Sequence, residues 1–230
     1  SGFASSYTTD NASNSLFELA FSGTDSRGIN GIAYILRGTS YGDVRILTGD
    51  SGAPDLMDIY GVGDVRGAAN MVGTAQGYPT MLGKFPSMNG EDNVTLFRVE
   101  EMHLIAAETS LRAGNAADAL SYLNNIPAIR GLGADYYASA TLENILEERR
   151  KEFAFEGLRF HDLSRMGMDM PSVDPFKQTN DDLTGTPPAY GSYRYAYPIA
   201  LSERNANPNM VQNYRSEERR VGKECRSRWS

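Results

Sequence analysis

Between residues 97 and 167, apolar side chains recur at three- and four-residue steps through three successive segments, separated by glycine-marked breaks. That period belongs to helices, so this stretch has to fold as helices that share a buried face. In the first segment, Val99, Met102 and Ala106 alternate with Leu104, Ala107 and Leu111 to give a broad apolar face. Gly114 then supplies a left-handed C-cap. Asn115 is placed to cap a second helix, in which Ala116, Ala119, Leu120 and Leu123 keep the same spacing, Asp118 sits in the first turn and Pro127 closes the run. Small residues at Ala107 and Ala119 let the two helices approach closely. Two helices and a tight turn in about 30 residues is the size of one tetratricopeptide unit. A single unit cannot bury its own face, so its packing partners must come from elsewhere.

The third segment starts at Thr141 and carries an inner stripe of Leu142, Ile145, Leu146, Arg149 and Phe153, with Gly157 as its expected end. Arg149 interrupts that stripe. A buried guanidinium must meet carboxylates, because an unpaired buried charge costs several kcal/mol. Glu100, Glu108, Glu152 and Glu156 are the candidate partners, and with Arg149 and Arg159 they form an expected structural ion network. Residues 158–166 read as a short further helix with Phe160 and Leu163 turned inward.

The succession RVEEMHLIAAETSLRAGN, ALSYLNNI, ILEERRKEFAFEGLRFHDLSR and YPIALSERNANPNMVQN resembles the C-terminal half of the SusD/RagB family, surface lipoproteins of Bacteroidetes that capture nutrients. The resemblance covers residues 16–213 and is densest over 98–165. It implies a mainly α, SusD-like fold with a tetratricopeptide-type helical hairpin core, long irregular loops and a few short strands. It also implies a non-catalytic subunit without cofactor that binds an oligosaccharide or peptide beside a SusC-like TonB-dependent transporter in the outer membrane. Members carry a signal peptide and a lipid-modified cysteine, and the N-terminal SGFASSYTTD has the character of neither. Residues 1–214 are accordingly expected to be the C-terminal portion of a protein about twice as long, with membrane attachment only through a lipid anchor outside this chain.

Within that portion, residues 1–96 are expected to be loop-rich, 97–167 the helical core and 168–214 an irregular closing segment. Fifteen of the 23 glycines fall in the first 96 residues, with possible strands at residues 16–21 and 32–36 and a helical turn at 53–60. GVGDVRG lacks the full glycine spacing, flanking elements and Lys-Ser/Thr pair of a phosphate loop. Tyr193, Tyr195 and Tyr197 alternate as in a short strand, and Ser202 is a candidate cap for a last helical turn. The final 16 residues hold six basic and three acidic residues, with the sole Cys and the sole Trp. They read as a non-native tail, residues 215–230, so Cys225 and Trp229 carry no functional weight. Without the tail the chain's charge moves from −7 to −10, which argues against nucleic acid.

Catalytic chemistry has little to work with. Trimmed of its tail the chain has no thiol, and His103 and His161 lack metal-ligand spacing. Glu147, Glu148, Glu152 and Glu156 share a segment with Arg149, Arg150, Lys151 and Arg159, which predicts paired carboxylates with lowered pKa, the reverse of what a glycosidase acid needs. No catalytic residue and no metal site is assigned. Tyr34, Tyr41, Tyr60 and Tyr78 are the ligand-binding candidates, since tyrosine faces stack on sugar rings. A tetratricopeptide-type protein-interaction scaffold with no nutrient role stays open as the alternative.

Overall fold

The glycine-rich N-terminal third holds more regular structure than its sequence suggests. In the computed structural model, which describes residues 2–37, 59–75, 78–171, 188–192, 195–196 and 198–212, it opens with α1 (Gly2–Thr8), which buries Phe3. Strand β1 (Ser15–Leu19) follows, then α2 (Ile32–Arg37), β2 (Val72–Ala75), β3 (Tyr78–Met81) and β4 (Val94–Arg98). The segment IAYIL was expected as a strand and is the helix α2 instead. A short apolar run fits either state, and here it rolls Ala33 and Leu36 onto Phe85. Residues 53–58 of the expected helical turn, Tyr193, Tyr197 and the tail lie outside the described residues.

Two antiparallel ribbons result. β1 pairs with β4, setting Phe17 opposite Phe97 across two register irregularities, and β2 pairs with β3. The β1–β4 ribbon leaves Leu16, Phe17, Leu96 and Phe97 each roughly half exposed, with the Phe17 and Phe97 ring centroids 6.4 Å apart.

The helical core is α3 (Val99–Arg112), α4 (Ala116–Ile129) and α5 (Leu142–Glu152). Gly114 adopts φ +82°, and the Asn115 amide donates back to the Ser110 carbonyl, which ends α3 in a left-handed cap. Asn115 holds the N-cap position of α4, but its side chain makes no capping bond. Thr141 does cap α5, its Oγ1 accepting from the Asn144 amide at 3.1 Å. Leu104, Ala107, Leu123, Ile126 and Ile145 meet with Phe153 in one cluster, the first five fully buried. Each large side chain there contributes about 1.5–3 kcal/mol.

Two helix ends differ from the sequence reading. α4 runs past Pro127, which is buried, to Ile129, where the Arg130 amide closes the helix on the Ile126 and Pro127 carbonyls. α5 stops at Glu152, five residues before Gly157, its expected end. There the Glu152 carbonyl accepts from Arg98 Nη2 and Lys84 Nζ at 2.8 and 2.7 Å, and Phe155 turns the chain at φ +65°.

The chain divides into two units, Ser1–Arg159 and Phe160–Ser230. The helix α6 (Leu158–Arg165) leads into the second, which also holds α7 (Leu201–Ala206). Ala200, without a side-chain bond, is the N-cap of α7, so Ser202 lies inside the helix rather than capping it. Gln212 closes this stretch by exchanging two hydrogen bonds with the Ile199 main chain.

Candidate functional site

Glu152 and Glu148 stand one turn apart on α5, so both carboxylates project from one helix face. Three arginines converge on Glu152. Oε1 accepts from Arg98 Nη1 at 2.5 Å and Arg130 Nη2 at 2.7 Å, while Oε2 accepts from Arg130 Nε at 3.0 Å and Arg66 Nη1 at 3.1 Å. Each arginine arrives from a different element end. Arg66 sits in a 3₁₀ turn (Val65–Gly67) started by Asp64, whose carboxylate accepts the Arg66 amide. Arg98 marks the joint between β4 and α3, and Arg130 follows directly on α4.

A second layer holds these cations. Asp64 grips Arg66 with both oxygens, at 2.9 and 2.7 Å, and Glu148 Oε1 takes a further bond from Arg66 at 2.6 Å. Glu156 binds Arg98 through both oxygens and Lys84 at 2.5 Å. Glu100 accepts from Arg130 at 2.6 Å and from Asn14. Tyr7 donates to Glu156 and Tyr137 to Glu148, each at 2.9 Å. Aromatic faces complete the lining, with Arg98 lying 4.5 Å from the Phe153 ring centroid and Arg130 4.6 Å from that of Phe3. Among the described residues, five carboxylates meet four cations in a largely buried cluster, where satisfied networks rigidify and half-satisfied ones are costly.

The electrostatics follow from this arrangement. Burial alone would raise Glu152, but Arg98, then Arg130 and Arg66, outweigh it and hold the carboxyl well below the usual range. Glu156 behaves alike: Lys84 and Arg98 overcome its burial and lower it. Lys84 is pushed down to about 8, burial outweighing the pull of Glu156.

Glu148 corrects the sequence reading, since burial pushes it up in spite of Arg66. The neutralising cations are not its neighbours in the segment. Adjacent helix residues point apart, and Arg66, Lys84, Arg98 and Arg130 come from other elements. A raised carboxyl is a general-acid signal only where substrate can reach it. Glu148 is fully buried with both oxygens engaged.

Of the expected network members, Glu100, Glu152 and Glu156 are brought together. Arg149 is buried, pairs with Glu101 at 3.4 Å and lies over Phe153. Glu108 pairs with Arg112 one turn on, at 2.9 Å. Arg159 is half-buried in the first turn of α6.

Asp64, Arg66, Lys84, Arg98 and Arg130 escaped the sequence reading because their partners lie up to 86 residues away. One signal was available: Arg66, Arg98 and Arg130 each follow an apolar residue directly, and Lys84 precedes Phe85 in a run from Met81. A lone cation in such a run is a candidate for burial.

Of the tyrosine candidates, Tyr34 and Tyr60 are the two whose side chains are described. Tyr34 is half-buried on α2, and the backbone of Tyr78 belongs to β3. Tyr60 donates to the Lys151 carbonyl at 3.0 Å and its ring faces Arg66, so it is engaged in packing. Tyr41 lies outside the described residues. His103 leans on Tyr122 and Asn125 of α4, and no cluster of metal-ligating side chains occurs among the described residues.

Two openings flank the network. A cavity of about 340 Å³ is walled by Ile32, Phe85, Phe153 and Phe155, with the Arg98–Glu156 pair as its polar side. A polar groove of about 250 Å³ includes Glu18 and Asp92. Glu18 accepts from the Asn11 amide and the Asn93 side chain, and Asp92 takes the Ser87 amide with both oxygens, so these acids secure turns.

Residues 76–215 match the model of the SusD family. The starch-binding protein SusD of Bacteroides thetaiotaomicron is 32% identical over 123 residues, which is 54% of this chain and 21% of that protein. A SusD superfamily crystal structure from the same organism superposes with a TM-score of 0.74 at 28% identity, covering 93% of this chain and 51% of the other. Another from Bacteroides vulgatus gives 0.68 at 26%, covering 89% and 47%. The chain spans about half the length of these solved relatives. Its mainly helical architecture is theirs, and the chain belongs to the SusD family.

Proposed function

We propose that this protein is a non-catalytic glycan-binding subunit of the cell surface, held at the outer membrane as a lipoprotein and delivering its ligand to a SusC-like TonB-dependent transporter. The observation that carries the reading is the 32% identity to a starch-binding protein within the matched family. The ion network supports a scaffolding role for this part of the molecule. Its carboxylates are spent on arginines, lysine and tyrosine, so its energy goes into holding β4, α3, α4 and α5 in fixed relation. No helix among the described residues is long and apolar enough to cross a membrane, which fits attachment by a lipid.

Capture of a flexible oligosaccharide favours a preformed surface over an enclosed pocket, since rigid contacts limit the entropy lost on binding. The test is calorimetric titration of the full-length protein with α- and β-glucan oligosaccharides, together with affinity purification from membranes. Saturable glycan binding and recovery of an outer-membrane transporter are the expected results. Absence of glycan binding across both series overturns the reading, and recovery of soluble partners alone favours the interaction scaffold.

A further inference from the structure

We propose that the second unit carries a sugar-stacking platform centred on Tyr190, a subsite for one pyranose ring of an oligosaccharide. The ligand class rests on the glycan-capture reading above; the position rests on the geometry of the aromatic group.

Three rings are assembled here. Phe160 of α6 stacks on Tyr195 with centroids 5.4 Å apart, and Tyr190 meets Tyr195 edge to face at 5.7 Å. Tyr195 is fixed by its hydroxyl, which donates to the Met168 carbonyl at 2.7 Å. Tyr190 is fixed at its main chain, where its amide donates to Asp169 Oδ1 at 2.7 Å. One side of the Tyr190 ring runs along the backbone at Gly167, close enough that a Cβ there would touch three ring carbons at 3.6–4.0 Å. Gly167 adopts φ +66°, so a glycine suits the position on backbone grounds as well.

Despite these restraints Tyr190 is 52% exposed, and Met168 beside it is 40% exposed. Tyr190 is thus restrained with about half its surface in water, which is the arrangement that a ligand exploits at low entropic cost. A pyranose has a face of C–H groups and a rim of hydroxyls. The ring face suits the first, and the exposed carboxylate of Asp169, whose Oδ2 is not the amide acceptor, suits the second.

The test uses the full chain, maltoheptaose and laminarihexaose as probes, and saturation-transfer NMR with calorimetry as readouts. The platform predicts that Tyr190→Ala weakens glucan binding at least about tenfold, that Tyr190→Phe and Tyr190→Trp retain it, and that Asp169→Asn, which keeps the amide acceptor, weakens it several-fold. Saturation should pass most strongly to the C–H protons of one sugar face, and far-UV circular dichroism of each variant should match the parent. Glucan binding that Tyr190→Ala and Asp169→Asn leave unchanged overturns the platform while glycan capture stands. A parent chain that binds neither probe nor any glycan of an array overturns both.

Discussion

Arg98 holds Glu152 at two points: Nη1 binds its carboxylate at 2.5 Å and Nη2 binds its main-chain carbonyl at 2.8 Å. One side chain therefore neutralises the central anion of the core and also caps the helix that presents it. Lys84 adds a second donor to the same carbonyl. The end of α5 is set by residues 54 and 68 positions earlier in the chain.

Removing the central anion alone should be severe. Glu152→Gln leaves Arg66, Arg98 and Arg130 converging on a neutral amide, and breaking one side of a buried ionic cluster costs about 3–5 kcal/mol. Arg149→Leu removes the single longer pair with Glu101 at 3.4 Å and keeps apolar contact with Phe153, so a smaller loss is expected. Urea unfolding of the two variants measures both, and equal small effects would mean the cluster is solvated.

Stability should respond to pH on both sides of neutrality. Glu152 and Glu156 are lowered in the folded state, so their contribution is present above the unfolded carboxyl pKa and is lost as pH falls through the folded values. Glu148 is raised and works in the opposite sense, softening the acid loss. On the alkaline side, Lys84 is lowered from 10.5 to about 8, so between these values the folded state releases a proton that the unfolded state keeps. Stability relative to Lys84→Met should rise with pH across that window, as read from chemical unfolding at stepped pH.

Gly131→Ala should cost about 2 kcal/mol or more, because the residue sits at φ +91° and a Cβ would meet the Gly63 carbonyl oxygen at 2.6 Å. The adjacent Arg130 carbonyl accepts the Val65 amide, so the substitution disturbs the seats of two cluster arginines at once. Thermal unfolding checks this. A variant as stable as the parent would show that the loop is not held at this contact.

Phe17 and Phe97, paired across the β1–β4 ribbon with ring centroids 6.4 Å apart, are each about half exposed. The 230-residue chain should bind a hydrophobic dye such as ANS, and Phe17→Thr with Phe97→Thr should reduce that signal with little loss of stability. Unchanged dye fluorescence would place the binding surface elsewhere.

What the sequence revealed and what it hid divide along contact range. The α3–α4 hairpin was legible because Leu104, Ala107, Leu123 and Ile126 repeat at helical steps and Gly114 marks the turn, all local signals. α2 was misread because five apolar residues have no distinguishing period. The end of α5 was misread because Arg98 and Lys84 terminate it from a distance, where local pattern favours continuation to Gly157. Glu100, Glu152 and Glu156 stood out through their crowded acidic and basic segment. Arg66, Lys84 and Arg130 did not, since nothing beside them in the chain names their partners. The order of motifs carried the family where geometry from sequence could not.

Glycan binding without cleavage is the function proposed for the intact protein. The most direct measurement is to incubate the homogeneous full-length protein with labelled gluco-oligosaccharides, following complex formation and product release in the same samples. Saturable binding with the oligosaccharide recovered intact is the predicted result, and turnover that co-purifies with the protein to homogeneity would contradict it.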